Sequence, residues 1–321
     1  MEKNSSFKIY FAPLQESTDQ IYRSAHSKIF GAVDKYFAPY IVRQNDGTVK
    51  SSHLRDIRRA NNENYPLIPQ ILAGNSADFI FLAKLLQEEG YDEINWNLGC
   101  PYPMVTNRGL GSGLLPFPDR IRSILDESFP AIGGKISVKL RIGLQSTDEI
   151  IQVIDVLNDF PLHEVILHPR IAKQLYRGVP DEDVYAEVQR RIKHQLVYNG
   201  DIVTQEDFDR LSALFSNTTT WMIGRGILKN PFLPHLLKSG HLPEKLRMAE
   251  MLREFHDEIF IRYSKLLNGP SHLLMKMEKF WSYFCFAFPD PHKTFKVIKK
   301  SANLAKYDLA VNENFRRLKP T

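Results

Sequence analysis

Two rhythms of apolar residues alternate along the chain. Short apolar runs bounded by Gly, Pro or Asn read as buried strands, and longer stretches with a helical repeat separate them. Lys8–Ala12, stopped by Pro13, reads as the first strand, with a helix after it capped by Ser17 or Thr18. Lys35–Ile41 reads as the second strand, and the polar stretch 43–64 as a loop with a weak helix. Leu67–Leu72 is the third strand, broken by Gly74, and 77–90 is its helix, stopped by Gly90. Glu93–Asn97 is the fourth strand, and a helix follows over 118–128. Lys135–Ile142 is the fifth, with a helix over 147–158 capped by Thr147. Glu164–His168 is the sixth, followed by a helix over 182–193. Gln195–Asn199 is the seventh, followed by a helix over 204–215. Thr220–Gly224 is the eighth, and a short helix over 230–237 closes the series.

Eight strands alternating with helices over about 240 residues predict an α/β fold, a (β/α)8 TIM barrel. A doubly wound open sheet has the same periodicity and stays open as the alternative. Past Ser239-Gly240-His241-Leu242-Pro243 the pattern is helical only, with helices expected over 248–267, 271–287, 292–306 and 312–318. The expected organisation is a catalytic domain over 1–240 and a small all-helical domain over 241–321. Lys293, Lys296, Lys299, Lys300 and Lys306 would give that domain a basic face.

Composition changes this picture little. Of 321 residues, 43% are hydrophobic and 25% charged, the balance of a globular chain. The net charge of +5 permits a polyanionic partner. Two cysteines cannot build a disulfide framework, the end from Met1 to Ser6 reads as no signal peptide, and no apolar run suits a membrane span. A cytoplasmic protein without membrane contact is expected. The histidines lack ligand spacing and no Cys-x-x-Cys occurs, so no metal site is expected, nor a Gly-x-Gly-x-x-Gly dinucleotide site. The oligomeric state is left open, and a monomer is compatible with the sequence.

Candidate chemistry gathers at the carboxyl ends of the strands, where barrels place their active sites. Gln70 interrupts an apolar strand. Asn97 and Cys100 end the fourth, and Lys139 and Arg141 alternate with apolar residues in the fifth. His168 and Arg170 end the sixth, Asn199-Gly200-Asp201 the seventh, and Gly224-Arg225-Gly226 the eighth. Burying such groups without partners costs a few kcal/mol each, so a shared polar pocket is expected. The last two loops suit a phosphate dianion. The glycine-rich loop 107–113 is expected to bring backbone N–H groups to a ligand. Cys100 is either a catalytic thiol or an inert buried one, and Cys285 reads as core.

The ordered series resembles the tRNA-dihydrouridine synthases. Its parts are Ala12-Pro13-Leu14, Pro69-Gln70-Ile71, Asn97-Leu98-Gly99-Cys100-Pro101, Val138-Lys139-Leu140-Arg141-Ile142-Gly143, His168-Pro169-Arg170, Gln174-Leu175-Tyr176-Arg177-Gly178, Asn199-Gly200-Asp201 and Ile223-Gly224-Arg225-Gly226. The resemblance implies an FMN-dependent enzyme, with NADPH or NADH as reductant, that reduces the C5=C6 bond of uridines in tRNA. Ala12, Pro13, Leu14, Gln70, Lys139, His168, Asn199, Gly200, Asp201, Gly224 and Arg225 would then hold FMN. Asn97, Arg141 and Arg170 would meet the substrate, Cys100 would give the proton to C5, and the base would be flipped from its stack. Pro169 and Val179-Pro180-Asp181-Glu182 depart from the family pattern, on what are read as substrate-side loops, and bear on which RNA site is read. Alternatives are a dihydroorotate dehydrogenase-like reductase of small molecules, an enzyme of ribosomal RNA, and an RNA-binding protein without catalysis.

Overall fold

The computed structural model describes residues 7–318, so the polar end Met1–Ser6 lies outside the described residues. Nine parallel strand segments are β1 (Lys8–Phe11), β2 (Lys35–Phe37), β3 (Leu67–Ile68), β4 (Gln70–Ile71), β5 (Glu93–Leu98), β6 (Lys135–Gly143), β7 (Glu164–Ile171), β8 (Gln195–Tyr198) and β9 (Thr220–Ile223). Their order in the sheet is β3-β2-β1-β9-β8-β7-β6-β5-β4. The first and last segments are the two halves of the predicted third strand. Pro69 lies between them and has no N–H for a ladder, so β3 pairs with β2 and β4 with β5. A bridge from Ile41 to Ile71 completes the closure. The sheet is a TIM barrel of eight staves, and the open-sheet alternative is set aside.

Around it run α1 (Gln20–Ile29), α2 (Ser51–Ile57), α3 (Ser76–Glu88), α4 (Pro103–Thr106), α5 (Pro118–Ser128), α6 (Glu149–Leu157), α7 (Glu182–Arg191), α8 (Gln205–Leu214), α9 (Arg225–Lys229) and α10 (Leu233–Ser239). Local details depart from the sequence reading. Asp19 caps α1, because the Thr18 hydroxyl is engaged with Leu14. No side chain caps α6 at Asp148; Glu149 instead reaches back to the N–H groups of Leu144, Gln145 and Ser146. β2 ends at Phe37, which frees Pro39 and Tyr40 to form a rim. β7 runs on to Ile171, so Pro169 is a buried strand residue rather than part of a loop.

After Gly240 come α11 (Lys245–Leu266), α12 (Pro270–Phe284), α13 (Pro291–Lys299) and α14 (Leu304–Arg316). The predicted helix over 292–306 is two, because Asn303 caps α14 through Lys306 N–H (2.9 Å). Lys306 therefore starts α14, apart from the lysines of α13. These helices are fastened to the barrel by aromatic packing. Phe255 of α11 meets Tyr22 of α1 and Phe30, just after its end, at ring distances of 5.2 and 5.1 Å. Trp281 and His256 both bond the buried Tyr307 hydroxyl, at 2.9 and 2.8 Å.

Tyr10, Phe37, Ile68, Ile166, Val197 and Met222 fill the barrel. Near its amino end Lys35 lies 2.8 Å from Glu93 and 3.5 Å from the buried Glu164, which also accepts from Tyr10 (3.0 Å). Burial pushes the Glu164 carboxyl above its ordinary range, against the pull of Lys35. Lys35→Met should therefore cost about 3 kcal/mol near neutral pH, because two carboxylates lose their cation. A raised folded pKa means that the native state binds the extra proton. The deficit, read by urea unfolding, should then shrink as pH falls from neutral toward the ordinary carboxylate range. A deficit that grew on acidification would remove Glu164 from this role.

Candidate functional site

Alternation along the strands carries selected side chains inward at the carboxyl ends. Asn97 lies opposite Lys139 in register, and Arg141 opposite His168. One chain of hydrogen bonds organises the floor. Ser137 Oγ accepts from Asn95 Nδ2 (2.9 Å), and Asn95 Oδ1 accepts from Gln70 Nε2 (2.7 Å). Gln70 Oε1 accepts from Asn97 Nδ2 (2.6 Å). Asn97 Oδ1 then accepts the backbone N–H groups of Gly99 (3.0 Å) and Cys100 (2.8 Å). All four side chains are buried. Asn95 and Ser137 escaped the sequence reading, although polar residues at inward positions of β5 and β6 were the available signal.

The later part of the glycine-rich loop is packed inward. Gly111, Ser112 and Gly113 are buried behind Cys100, whose carbonyl accepts from Ser112 Oγ (2.8 Å). A Cβ on Gly111 would stand 2.8 Å from that carbonyl, at a φ of +56° that favours glycine. The loop thus presses the Cys100 turn into place. Burial pushes the Cys100 thiol up from its ordinary pKa, partly offset by Arg141 and Lys139. Its Sγ has a long contact to the Tyr40 hydroxyl (3.9 Å).

Two adjoining cavities open at this end of the barrel. One, of about 130 Å³, is lined by Cys100, Asn97, Gln70, Arg141, Tyr102 and Tyr40, with Lys279 and Tyr283 contributed by α12. The other, of about 190 Å³, is lined by Ala12, Asn199, Gly200, Asp201, Gly224 and Arg225, with Lys229. Pro13, Leu14, Lys139, His168 and Tyr176 line both. Lys139 Nζ makes no hydrogen bond or ion pair among the described residues, and burial with Arg141 nearby lowers its pKa to about 7. Burial and four surrounding cations hold His168 well below its usual value, so it is neutral.

The arginines have distinct tasks. Arg170, expected at the substrate, is wholly buried and lines neither cavity. It meets His168 Nε2 (3.1 Å) and donates to Gly178 carbonyl (2.7 Å) and Asp201 (2.5 Å). Asp201 also accepts from Arg225 (2.5 Å). Burial would raise the Asp201 carboxyl, but the two guanidiniums prevail and hold it low. The cluster keeps an excess positive charge, and Asp201 acts by aiming Arg225. Arg141 lines the Cys100 cavity, yet its donors reach the carbonyls of Gly99 (3.2 Å), Ile171 (3.0 Å) and Leu175 (2.7 Å). It ties the Cys100 turn to Leu175, which is held at a φ of +53°. The next residue, Tyr176, lies against Arg225 at 4.5 Å and Arg141 at 5.5 Å. Among the departures from the family pattern, Val179 is exposed and Asp181 caps α7.

A family model described as dihydrouridine synthase (Dus) matches residues 10–284. The chain is similar to tRNA-dihydrouridine synthase B of Escherichia coli K12, with 28% identity over 203 residues, 59% of this chain and 62% of that protein. It thus spans less than two thirds of that relative. The Pasteurella multocida protein of the same name is 24% identical over 72% of this chain and 69% of its own. Among solved structures, the old yellow enzyme of Trypanosoma cruzi superposes with a TM-score of 0.54 at 8% identity, over 73% of this chain and 89% of that one. Morphinone reductase in complex with tetrahydroNAD gives 0.53 at 10%, over 74% and 88%. At these identities the likeness is one of fold.

The buried network and the uncompensated lysine lead to two expectations. Asn95→Leu removes the acceptor of Gln70 Nε2 and the donor to Ser137 Oγ, and should cost about 3 kcal/mol by denaturant unfolding; a neutral result would deny the network its role. Lys139→Met should do the opposite and stabilise the protein by about 1 kcal/mol at about pH 6. The folded pKa of Lys139 lies below its unfolded value, so the unfolded state binds the extra proton. That advantage should be fully present below about pH 7 and fade as pH rises. Thermal unfolding across that range measures it, and a destabilised variant would show that Lys139 is compensated.

Proposed function

The chain belongs to the dihydrouridine synthase family, and on that premise we propose that it reduces the C5=C6 bond of specific uridines in tRNA to 5,6-dihydrouridine, using bound FMN and NADPH or NADH as reductant. Residues 1–240 form the catalytic part, and 241–321 the helical part that helps to bind RNA. The carrying observation is that a buried thiol and a lysine without a partner among the described residues line one cavity, against a second cavity with excess positive charge.

The residues fit FMN. Gly224 leaves open a place where a Cβ would stand 3.3 Å from that of Ala12, and Arg225, aimed by Asp201, is a charge-assisted donor for a phosphate. Ala12, Pro13, Leu14, Asn199 and Gly200 line the same space, and Lys139 and neutral His168 stand where it joins the Cys100 cavity. Bound FMN would supply hydride to C6 of the uracil.

The chain's own groups manage the proton and the charge. Cys100 Sγ–H is the acid that delivers a proton to C5. A raised pKa keeps it protonated through neutral pH, and its donor capacity is lost only as pH rises through that value. The thiolate left behind is favoured by Arg141 and Lys139, both of which lower the thiol pKa. Lys139 carries positive charge toward the uracil carbonyl system, where negative charge develops. Asn97 has one amide N–H left after Gln70 and orients the base. Gln70 and Arg141 hold the floor and the turn in place.

Cys100→Ala should fold, bind FMN and be reduced by NADPH at the parent rate. Single-turnover re-oxidation by unmodified tRNA should fall about 10²–10⁴-fold, and Cys100→Ser should restore little. Re-oxidation of the alanine variant at the parent rate would assign the proton to another group. Free uridine or orotate that re-oxidised the parent enzyme as fast as tRNA would point to a small-molecule reductase.

A further inference from the structure

A further cavity lies beside the site. It is a groove of about 520 Å³ between the loop after β1, the rim after β2, α2 and the end of α11. Gln15, Pro39 and Tyr40 line both this groove and the Cys100 cavity. Tyr40 is therefore the partition, with its hydroxyl near the thiol. Ile21, Pro39, Tyr40 and Leu266 supply an apolar wall.

Most charges in the groove already have partners. Asp19 is bound by Lys276 (2.9 Å) and the Tyr263 hydroxyl (2.7 Å). Asp56 takes Arg23 (3.1 Å) and the Gln20 N–H (2.5 Å). Arg262 donates to Ser24 and to Gln20 (3.0 Å), and Glu16 pairs with Lys279 at 3.5 Å. Arg55 and Lys265 remain. Both are exposed on the rim, and neither side chain has a hydrogen bond or ion pair among the described residues. His53, on the same wall, has a buried Nδ1 without a partner. An aromatic and apolar wall under two free cations has the chemistry of single-stranded nucleic acid, in which bases stack and phosphates are neutralised. The volume lies within the range of small-ligand pockets and suits a nucleoside.

We propose that this groove is a second nucleotide subsite, which holds the nucleotide adjacent to the uridine at Cys100, with its base against Tyr40 and Leu266 and its phosphate on Arg55 and Lys265. The proposal rests on the RNA reading of the Cys100 site. It gives the enzyme a means to prefer a uridine within a strand over a free one, because the neighbour is gripped on the far side of Tyr40.

The test uses the FMN-loaded enzyme reduced by NADPH, with the double variant Arg55→Glu/Lys265→Glu. Both positions are exposed, and a parent-like unfolding temperature checks the fold. The variant should be reduced by NADPH as the parent is and keep its maximal re-oxidation rate. Its KM for unmodified tRNA should rise at least tenfold, and the slope of log affinity against log salt should fall by about 0.7, one single-strand phosphate contact. UMP should bind both forms alike, whereas the gain in affinity from UMP to a uridine dinucleotide should be present in the parent and lost in the variant. If tRNA re-oxidises the parent and the variant matches it in KM and salt slope, the subsite is wrong and the activity stands. If the parent is reduced by NADPH but no RNA re-oxidises it, the activity itself is wrong and the subsite falls with it.

Discussion

The structure depends on one oxygen. Asn97 Oδ1 accepts the N–H groups of Gly99 and Cys100, just where β5 leaves the sheet. Without that acceptor two backbone donors would be buried unpaired, at about 1–3 kcal/mol each. The amide cannot rotate away, because its nitrogen is engaged by Gln70, Gln70 by Asn95, and Asn95 by Ser137. The position of the Cys100 thiol is thus fixed from the barrel interior. The glycine-rich loop presses from behind and Arg141 holds the Gly99 carbonyl. In a dry network of this kind each member is costly to lose, which favours one geometry over several.

A second constraint is charge. Lys139, Arg141, Arg170 and Arg225 converge on one barrel mouth, and among the described residues Asp201 is the carboxylate paired with two of them. Such a gathering works against the stability of the free protein, as the lowered pKa of Lys139 records. It suits a site that receives phosphate and a reaction in which negative charge develops. Stability given up at a site for the sake of its chemistry is a common pattern.

The barrel and the gathering of polar side chains at its strand ends were legible in the sequence because both follow from period and position. Lys139 and Arg141 alternate with Val138 and Leu140, and that rhythm places them inward. What the sequence hid was three-dimensional. The break at Pro69 reads as one strand until its two halves are seen to pair on opposite sides. Arg170 reads as a substrate contact because its motif lies near the site, but carbonyls of the following loop and Asp201 enclose it. The glycines at 109, 111 and 113 suggest a ligand cradle, and only the packing shows that Gly111 permits a close approach to Cys100 and Gly113 one to Thr106. Tyr40, Lys279 and Tyr283 join the site from a rim and from α12, distances in sequence that no local pattern spans.

In the proposed function, thiol, lysine and arginine cluster together serve proton delivery to a pyrimidine under reduction in RNA. Mass mapping of a single unmodified tRNA, incubated with the FMN-loaded enzyme and NADPH, tests that account most directly. The account predicts a gain of about 2 Da, two hydrogens, at one defined uridine with the parent protein and almost none with Cys100→Ala in the same time. No gain with the parent, or an equal gain with both, would contradict it.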